Sequence, residues 1–215
     1  MRGEFSAYSK QAAKAELGLP LGKPLVVSVW GSLGAENMNE VMCRFIELAG
    51  KKPGFTLIHS AGVEGYEKMV EHLRRTVPDY EKNGMDVRGY IYDMPGVMAG
   101  GRLDMAAADL VLCRAGASTI SELTYMHKPT IFVPSPFVTN NHQFKNAKVV
   151  EDAGGALIFE EGWFEPKELL KAVNDILSSD DKLEKMSPAM AKLAKPEATD
   201  MICDRIFSLL AENRK

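Results

Sequence analysis

Short apolar segments alternate with longer amphipathic segments along almost the whole chain. The short segments are rich in β-branched residues and nearly continuous in apolar character, which is typical of strands covered on both faces. The longer segments repeat their apolar positions with helical spacing. The predicted strands are 25–29, 55–59, 85–91, 109–113, 130–133 and 156–159. The predicted helices are 10–17, one from the turn at 30–35 to about 49, 66–75, 119–126, 141–151, 166–177, about 180–193 and 198–212, with two small helical turns in 94–107.

This alternation predicts an α/β fold, a doubly wound parallel sheet of about six strands. Residues 1–24 are interpreted as a linker and an N-terminal helix, and residues 25–215 as a single domain. Ligands bind such sheets at the carboxyl ends of the strands, near the point where the strand order reverses. The turns that follow the strands are therefore expected to converge on one edge. These turns are 31–35, 91–94, 114–119 and 134–146.

Composition narrows the class of protein. The chain has 215 residues, 46% apolar and 26% charged, with a net charge of −3, which is ordinary for a soluble globular protein. No Lys/Arg cluster is present, which argues against a nucleic-acid partner. Cys43, Cys113 and Cys203 lie far apart among apolar residues, and we expect them to be buried in a reducing compartment. With no signal-like start and no long apolar run, a cytoplasmic location is expected.

The stretch 113–122 carries the first candidate site. A strand, a turn containing Gly116 and the start of a helix leave backbone N–H groups pointing at one spot, which favours an anion. Glu122 lies in the following turn, where its carboxylate could accept bonds from sugar hydroxyls. An alternative interpretation is a capping box, in which Thr119 and Glu122 satisfy each other's backbone N–H groups.

A second candidate turn, 31–34 (Gly-Ser-Leu-Gly), follows the first strand. Glycine lets the backbone approach a ligand closely, and Ser32 adds a hydroxyl donor. The alternative is a plain tight turn. The motif is not the dinucleotide fingerprint, and His59-Ser60 stands at the end of the second strand where that fingerprint would need an acidic residue.

Four amide or imidazole side chains crowd the start of the predicted helix at 141, and they form the third candidate. Amides both donate and accept, as the hydroxyls of a sugar require. The alternative is a polar first turn capped by asparagine. The four residues are Asn141, His142, Gln143 and Asn146.

Other chemistry has no obvious carrier in the sequence. Without an Asp-x-Asp pair, a metal-bridged diphosphate site lacks ligands, so metal-independent binding without a cofactor is expected. No nucleophile–base pair stands out, and no catalytic residue is predicted in this chain. His59, His72 and His127 are interpreted as ordinary fold or surface residues.

The three candidate segments together resemble the C-terminal, donor-binding half of the MurG family, glycosyltransferase family 28 of the GT-B fold. The resemblance is carried by 31–35 (Gly-Ser-Leu-Gly-Ala), 114–122 (Arg-Ala-Gly-Ala-Ser-Thr-Ile-Ser-Glu) and 133–147, and it covers nearly the whole chain. Members of this family transfer N-acetylglucosamine (GlcNAc) from UDP-GlcNAc onto lipid I to form lipid II in peptidoglycan synthesis. The resemblance therefore implies an inverting hexosyltransferase whose donor is held by this half.

The resemblance also implies roles for single residues. Ser32 and the N–H groups of 117–119 would hold the diphosphate, Glu122 the ribose, and Ile91 the uracil with Met94 nearby. Gln143 and Asn146 would hold the GlcNAc hydroxyls beside His142, and Arg2 would lie at the interdomain linker. The full set implied to bind UDP-GlcNAc is Arg2, Gly31, Ser32, Ile91, Met94, Arg114, Gly116, Ala117, Ser118, Thr119, Glu122, His142, Gln143 and Asn146.

The chain departs from the family at three points. Trp30 stands where the family usually has glycine, and Leu33 where it often has glutamine. The N-terminal half, which in this family binds the lipid acceptor at the inner membrane face, is expected to be missing, so that the chain would be inactive alone. Two alternatives remain open here: a UDP-sugar epimerase of GT-B architecture, and a non-catalytic donor-binding subunit of a split glycosyltransferase.

Overall fold

A computed structural model describes residues 9–31, 35–51, 53–89 and 100–212, and the side chains of the last range from residue 104 onward. Within these residues six strands form one sheet in which every neighbouring pair runs parallel. The strands are Leu25–Val29 (β1), Thr56–Ser60 (β2), Met85–Arg88 (β3), Leu110–Cys113 (β4), Thr130–Phe132 (β5) and Ala156–Ile158 (β6). Their order is β3-β2-β1-β4-β5-β6, so the strand order reverses between β1 and β4. The predicted doubly wound parallel sheet is confirmed.

Helices connect the strands and complete the described part of the chain. Before α6 the chain makes a 3-10 turn at Thr139–Asn141. The helices are Lys10–Glu16 (α1), Glu36–Ala49 (α2), Val63–Thr76 (α3), Gly100–Ala107 (α4), Ala117–Tyr125 (α5), His142–Asp152 (α6), Pro166–Leu177 (α7), Asp180–Leu193 (α8) and Ala198–Glu212 (α9).

The two faces of the sheet are buried in two separate clusters because successive strand side chains point to opposite sides. On one face Val26 packs in a cluster that contains Phe45 of α2 and Val173 of α7. On the other face Val27 packs in a cluster that contains Leu123 of α5. All five side chains are fully buried, and each contributes about 1.5–3 kcal/mol relative to exposure. The helices on both faces hold the strand ends in fixed positions.

The predicted elements shift by a few residues at most ends, and two differences matter for the site. α5 begins at Ala117 rather than at residue 119, because Gly116 adopts the extended backbone of an N-cap. The region predicted as two small helical turns contains the single helix α4 at Gly100–Ala107, while residues 94–99 lie outside the described residues.

The cysteines divide into two environments. Cys43 and Cys113 are buried as predicted, but the prediction for Cys203 is wrong, because it is exposed on α9, a helix with no buried residue. No described helix has the length and apolar character needed to cross a membrane. The described side chains also contain no group of three or more His, Cys, Asp or Glu residues arranged to hold a metal ion.

Candidate functional site

A cleft of about 740 Å³ opens at the carboxyl ends of the strands, where the strand order reverses. We call it the switch-point cleft. Its walls come from the turns after β1, β4, β5 and β6, together with Ser60 at the end of β2. The described parts of the predicted turns 31–35, 114–119 and 134–146 therefore converge on one edge, whereas the predicted turn 91–94 lies outside the described residues. Its described lining includes Trp30, Gly31, Ala35, Glu36, Asn37, Arg114, Gly116, Thr119, Glu122, Ser135, Phe137, Gln143 and Glu161.

A second hollow of about 590 Å³ lies at the opposite edge of the sheet, around Asp109 and Lys128. Its charged groups Asp109 and Lys128 are already engaged with the protein. Lys128 Nζ donates to two backbone carbonyls, and the Asp109 carboxylate pairs with Lys10 and Lys14. Because ligands of such sheets bind at the carboxyl ends of the strands, the switch-point cleft is the candidate site.

The turn after β1 brings a glycine and a helix terminus to the cleft. Gly31 has φ +101°, a backbone conformation that favours glycine, and it is exposed. α2 begins at Glu36 behind the N-cap residue Ala35, whose side chain cannot cap. The Ala35 side chain therefore satisfies none of the first N–H groups of α2. The Glu36 carboxylate in the same turn pairs with Lys68 at 2.7 Å.

The turn after β4 presents a second helix terminus. Gly116 is the N-cap of α5, and the first intrahelical bond runs from the Ile120 N–H to the Gly116 carbonyl. The N–H groups of Ala117, Ser118 and Thr119 therefore have no acceptor within the helix, which creates partial positive charge at this end. Gly116 and Thr119 line the cleft, while Ala117 and Ser118 are exposed in the same turn.

Glu122 faces the cleft from the second turn of α5. The capping-box alternative is wrong, because the helix starts at Ala117 and Thr119 is its third residue rather than its N-cap. A capping glutamate does occur elsewhere in the fold, where Glu168 Oε2 accepts the Glu165 N–H at 2.8 Å at the start of α7. Glu122 thus lies in the wall of the cleft and not at a helix cap.

Arg114 is held by the protein itself. Its Nη1 donates to the Val133 carbonyl at 2.9 Å and lies 2.5 Å from Glu161 Oε2, while the guanidinium stands 5.9 Å from the centre of the Trp30 ring. Trp30 is only 3% exposed. The bulky residue that departs from the family pattern therefore packs against Arg114 and takes up little of the cleft.

Glu161 is a cleft residue that the sequence interpretation missed. It follows β6, its side chain is 9% exposed, and its Oε1 accepts from Asn37 Nδ2 at 3.2 Å. In the sequence it belongs to a run of two glutamates before Gly162, which is typical of a solvated loop. The signal that could have found it is its place after a strand of the same sheet.

The amide cluster at α6 is partly engaged with neighbouring loops. Gln143 lines the cleft and its Oε1 accepts the Ser135 N–H at 2.9 Å, while Asn146 Nδ2 donates to the Ala115 carbonyl at 3.3 Å. The cluster therefore joins the turn after β4 to the loop after β5. His142 is exposed, and its Nδ1 donates to the Thr139 carbonyl at 3.0 Å.

The asparagine-cap alternative for α6 is not supported by the geometry. Asn141 occupies the N-cap position with φ +50°, and its side chain makes no capping hydrogen bond. Asn140, at φ +55°, is also left-handed, a conformation that asparagine tolerates better than most residues. Two consecutive left-handed residues turn the chain sharply into α6.

Four predicted contact residues lie outside the described residues. They are Arg2, Ser32, Ile91 and Met94. Among the described ones, Gly31, Arg114, Gly116, Thr119, Glu122 and Gln143 are brought together in the cleft, while Ala117, Ser118, His142 and Asn146 lie beside it on the same two helices.

His59 lies behind the cleft, in the core. It is fully buried, with Nδ1 3.0 Å from Ser28 Oγ and Nε2 3.2 Å from Asn39 Oδ1. Burial lowers the pKa of His59 from 6.5 to about 3, so the ring is neutral at pH 7. This agrees with its interpretation as a fold residue.

Among the described lining residues the positive charge of Arg114 is offset by its ion pair with Glu161. A diphosphate in this cleft would be held by the uncapped helix termini of α2 and α5, each worth about 0.3–1 kcal/mol when exposed and up to about 2 kcal/mol when partly buried.

Known proteins match this chain along most of its length. The family described as "Glycosyltransferase family 28 C-terminal domain" matches residues 25–202. The UDP-N-acetylglucosamine--N-acetylmuramyl-(pentapeptide) pyrophosphoryl-undecaprenol N-acetylglucosamine transferase of Acetivibrio thermocellus is 34% identical over 210 residues, which cover 98% of this chain and 54% of that protein. The transferase of the same name from Caldicellulosiruptor saccharolyticus is 37% identical over 203 residues, which cover 94% and 52%.

A solved structure agrees with these sequence matches. The crystal structure of Acinetobacter baumannii MurG superimposes with a TM-score of 0.73 at 25% identity, over 95% of this chain and 54% of that one. The chain spans about half the length of the curated relatives it matches. The chain therefore belongs to glycosyltransferase family 28, as a MurG-like C-terminal domain that forms one Rossmann-like half of the GT-B fold.

Proposed function

We propose that this chain binds UDP-GlcNAc as the donor half of a hexosyltransferase that adds GlcNAc to lipid I to form lipid II. The acceptor would be held by an N-terminal domain at the inner face of the cell membrane, and residues 25–215 would be inactive without it. Residues 1–24 would be the linker and helix that lead into the donor domain. Support comes from the family membership and from the names of the relatives.

The observation that carries the proposal is the position of Glu122 relative to the α5 terminus. The N–H groups of residues 117–119 favour binding of an anion, and Glu122 lines the same cleft one turn later. A nucleoside diphosphate needs donors for its phosphates and an acceptor for its ribose hydroxyls, in that order along the ligand. A carboxylate beside a phosphate site suits the ribose, because it would repel a second phosphate.

The donor sugar would lie beyond the phosphates, against α6. Asn146 donates to the Ala115 carbonyl, so the first turns of α6 stand next to the phosphate turn. Gln143 Oε1 accepts the Ser135 N–H, so the NH₂ group of Gln143 can donate to a sugar hydroxyl. Nothing in this scheme requires a metal, since helix termini supply the positive potential.

Isothermal titration calorimetry on the purified chain tests the proposal. We expect UDP and UDP-GlcNAc to bind, ADP to bind much more weakly, and the dissociation constant for UDP to be the same with EDTA as with Mg²⁺. The absence of UDP binding by a sample with a cooperative melting transition would overturn the proposal. Binding that disappears in EDTA would overturn its metal-independent part.

A further inference from the structure

One large apolar side chain stands exposed in the wall of the switch-point cleft. Phe137 follows β5, lines the cleft and is 82% exposed. A single exposed apolar residue on a convex surface needs no explanation. A phenyl ring in a concave site beside polar groups is different, because such a site gains affinity by covering apolar surface of its ligand.

The loop that carries Phe137 is fixed on the side of the proposed sugar ligand. The Ser135 N–H donates to Gln143 Oε1 at 2.9 Å, and the Phe137 N–H lies 3.4 Å from Ser135 Oγ. Pro134 and Pro136 restrict the backbone between these bonds. These bonds hold the backbone of the loop 135–137 next to Gln143 of α6, so the Phe137 side chain extends from a loop that is attached to α6.

We propose that Phe137 is a specificity-determining residue that stacks on the apolar face of the donor hexose, while Gln143 donates to a hydroxyl at the edge of the same ring. This inference rests on the proposed function. A pyranose has a face of C–H groups that gains by leaving water against a flat apolar ring, and its hydroxyls project from the rim toward polar partners. The nucleotide and the phosphates make no use of this contact.

The experiment compares UDP with UDP-GlcNAc, because only the second ligand reaches Phe137. In calorimetry with Phe137→Ala, we expect the affinity for UDP to stay unchanged and the affinity for UDP-GlcNAc to fall roughly tenfold, the loss expected for partial burial of one aromatic side chain. Phe137→Tyr keeps the flat ring and should keep the wild-type ratio of the two affinities. Phe207→Ala, an equally drastic change at a 69% exposed phenylalanine of α9, should change neither affinity.

The outcomes separate the two proposals. If wild-type protein binds UDP but Phe137→Ala leaves the ratio unchanged, or lowers both affinities equally, the stacking inference is overturned and the donor-site proposal stands. If wild-type protein binds no UDP, the donor-site proposal is overturned, and the stacking inference, which rests on it, is overturned as well. Should Phe137→Ala fail to fold, Phe137→Leu decides, because it keeps apolar volume without a flat ring and should still lower the ratio.

Discussion

Arg114 and Glu161 form a largely enclosed ion pair at the base of the cleft, with Nη1 2.5 Å from Oε2 and side chains 14% and 9% exposed. The same guanidinium donates to the Val133 carbonyl, and the other carboxylate oxygen accepts from Asn37. The pair thus ties the ends of β4 and β5 to the start of α2 and to the loop after β6. Residues from four of the turns that line the cleft are thus joined through this one ion pair.

The first prediction concerns the stability of this pair. Glu161→Gln leaves the Arg114 charge enclosed without a partner, and removal of one member of a buried pair costs about 3–5 kcal/mol. We expect the free energy of unfolding to fall toward the lower end of that range, since both side chains keep some contact with water. The double variant Arg114→Met/Glu161→Gln should recover part of the loss, with a coupling of about 1–3 kcal/mol in urea unfolding.

The exposed pair of Lys171 and Asp175 provides the matched control. Its side chains are 76% and 46% exposed, so the same double-variant cycle should give a much smaller coupling than that of Arg114 and Glu161. Equal couplings for the two pairs would contradict the structural role given to Arg114 and Glu161.

The sequence predicted the sheet and the turns after β1, β4 and β5 that line the cleft, because local patterns determine these elements. Apolar runs such as 109–113 gave the strands, and glycine turns such as 114–116 gave the helix starts that face the cleft. The Arg114–Glu161 pair could not be predicted, because it joins residues 47 positions apart that only the packed fold brings together. Local pattern fixes which elements form, whereas side-chain partners depend on tertiary packing.

The wrong prediction for Cys203 has a similar cause. Apolar neighbours such as Ile202 and Ile206 predict a helix with a buried face, but both are at least half exposed on α9. Periodicity shows that a helix has an apolar face without showing what that face packs against. Trp30 is the opposite case, because its packing under Arg114 depends on a partner that the sequence does not reveal.

The second prediction separates ligand binding from capping at Glu122. We expect Glu122→Ala to weaken UDP binding roughly tenfold or more, the loss expected when a charged acceptor is removed. Its free energy of unfolding should fall less than that of Glu168→Ala, because Glu122 stands in the second turn of α5 and caps no helix end. Calorimetry with UDP and urea unfolding measure the two effects on the same samples.

Glu168→Ala is the control, because Glu168 is a true capping residue remote from the cleft lining. It should lower the free energy of unfolding by about 0.5–2 kcal/mol and leave UDP affinity unchanged. A Glu122→Ala protein that behaves like Glu168→Ala in both measurements would show that Glu122 is structural.

The third prediction concerns Asp109, which anchors α1 to the amino end of the sheet. Its carboxylate accepts from Lys14 at 2.6 Å, Lys10 at 2.7 Å and the Leu25 N–H at 2.8 Å. Burial acts to raise the pKa of Asp109, but the two lysines and the N–H outweigh it and hold the pKa below its usual value. The stabilisation is therefore present above the unfolded-state pKa, near 3.9, and is lost as the pH falls through the lower folded-state pKa.

At neutral pH, Asp109→Asn should lower the free energy of unfolding by about 3 kcal/mol, because Lys14 is then left buried without a counter-charge. Asp79→Asn removes an exposed partner of Lys82 and should lower the free energy of unfolding far less than Asp109→Asn does. Urea unfolding at pH 7 checks both, and similar losses would mean that Asp109 contributes no more than a surface pair.

The last prediction follows from the neutral, buried ring of His59. The unfolded chain binds a proton at His59 below a pKa of about 6.5, whereas the folded chain does so only near 3. Protonation therefore favours the unfolded state throughout this window, and the free energy of unfolding should fall by up to about 1.4 kcal/mol for each pH unit below 6.5. Below about 3 both states are protonated, and the loss from this residue stops growing.

His59→Gln isolates this contribution because glutamine can bond Ser28 and Asn39 but does not titrate. We expect the variant to be less stable at pH 7 and to lose less stability than the wild type between pH 6.5 and pH 4, in urea unfolding series run in parallel. If His59→Gln kept the wild-type slope, the acid sensitivity would have to come from other titrating groups, and the neutral state assigned to His59 would be wrong.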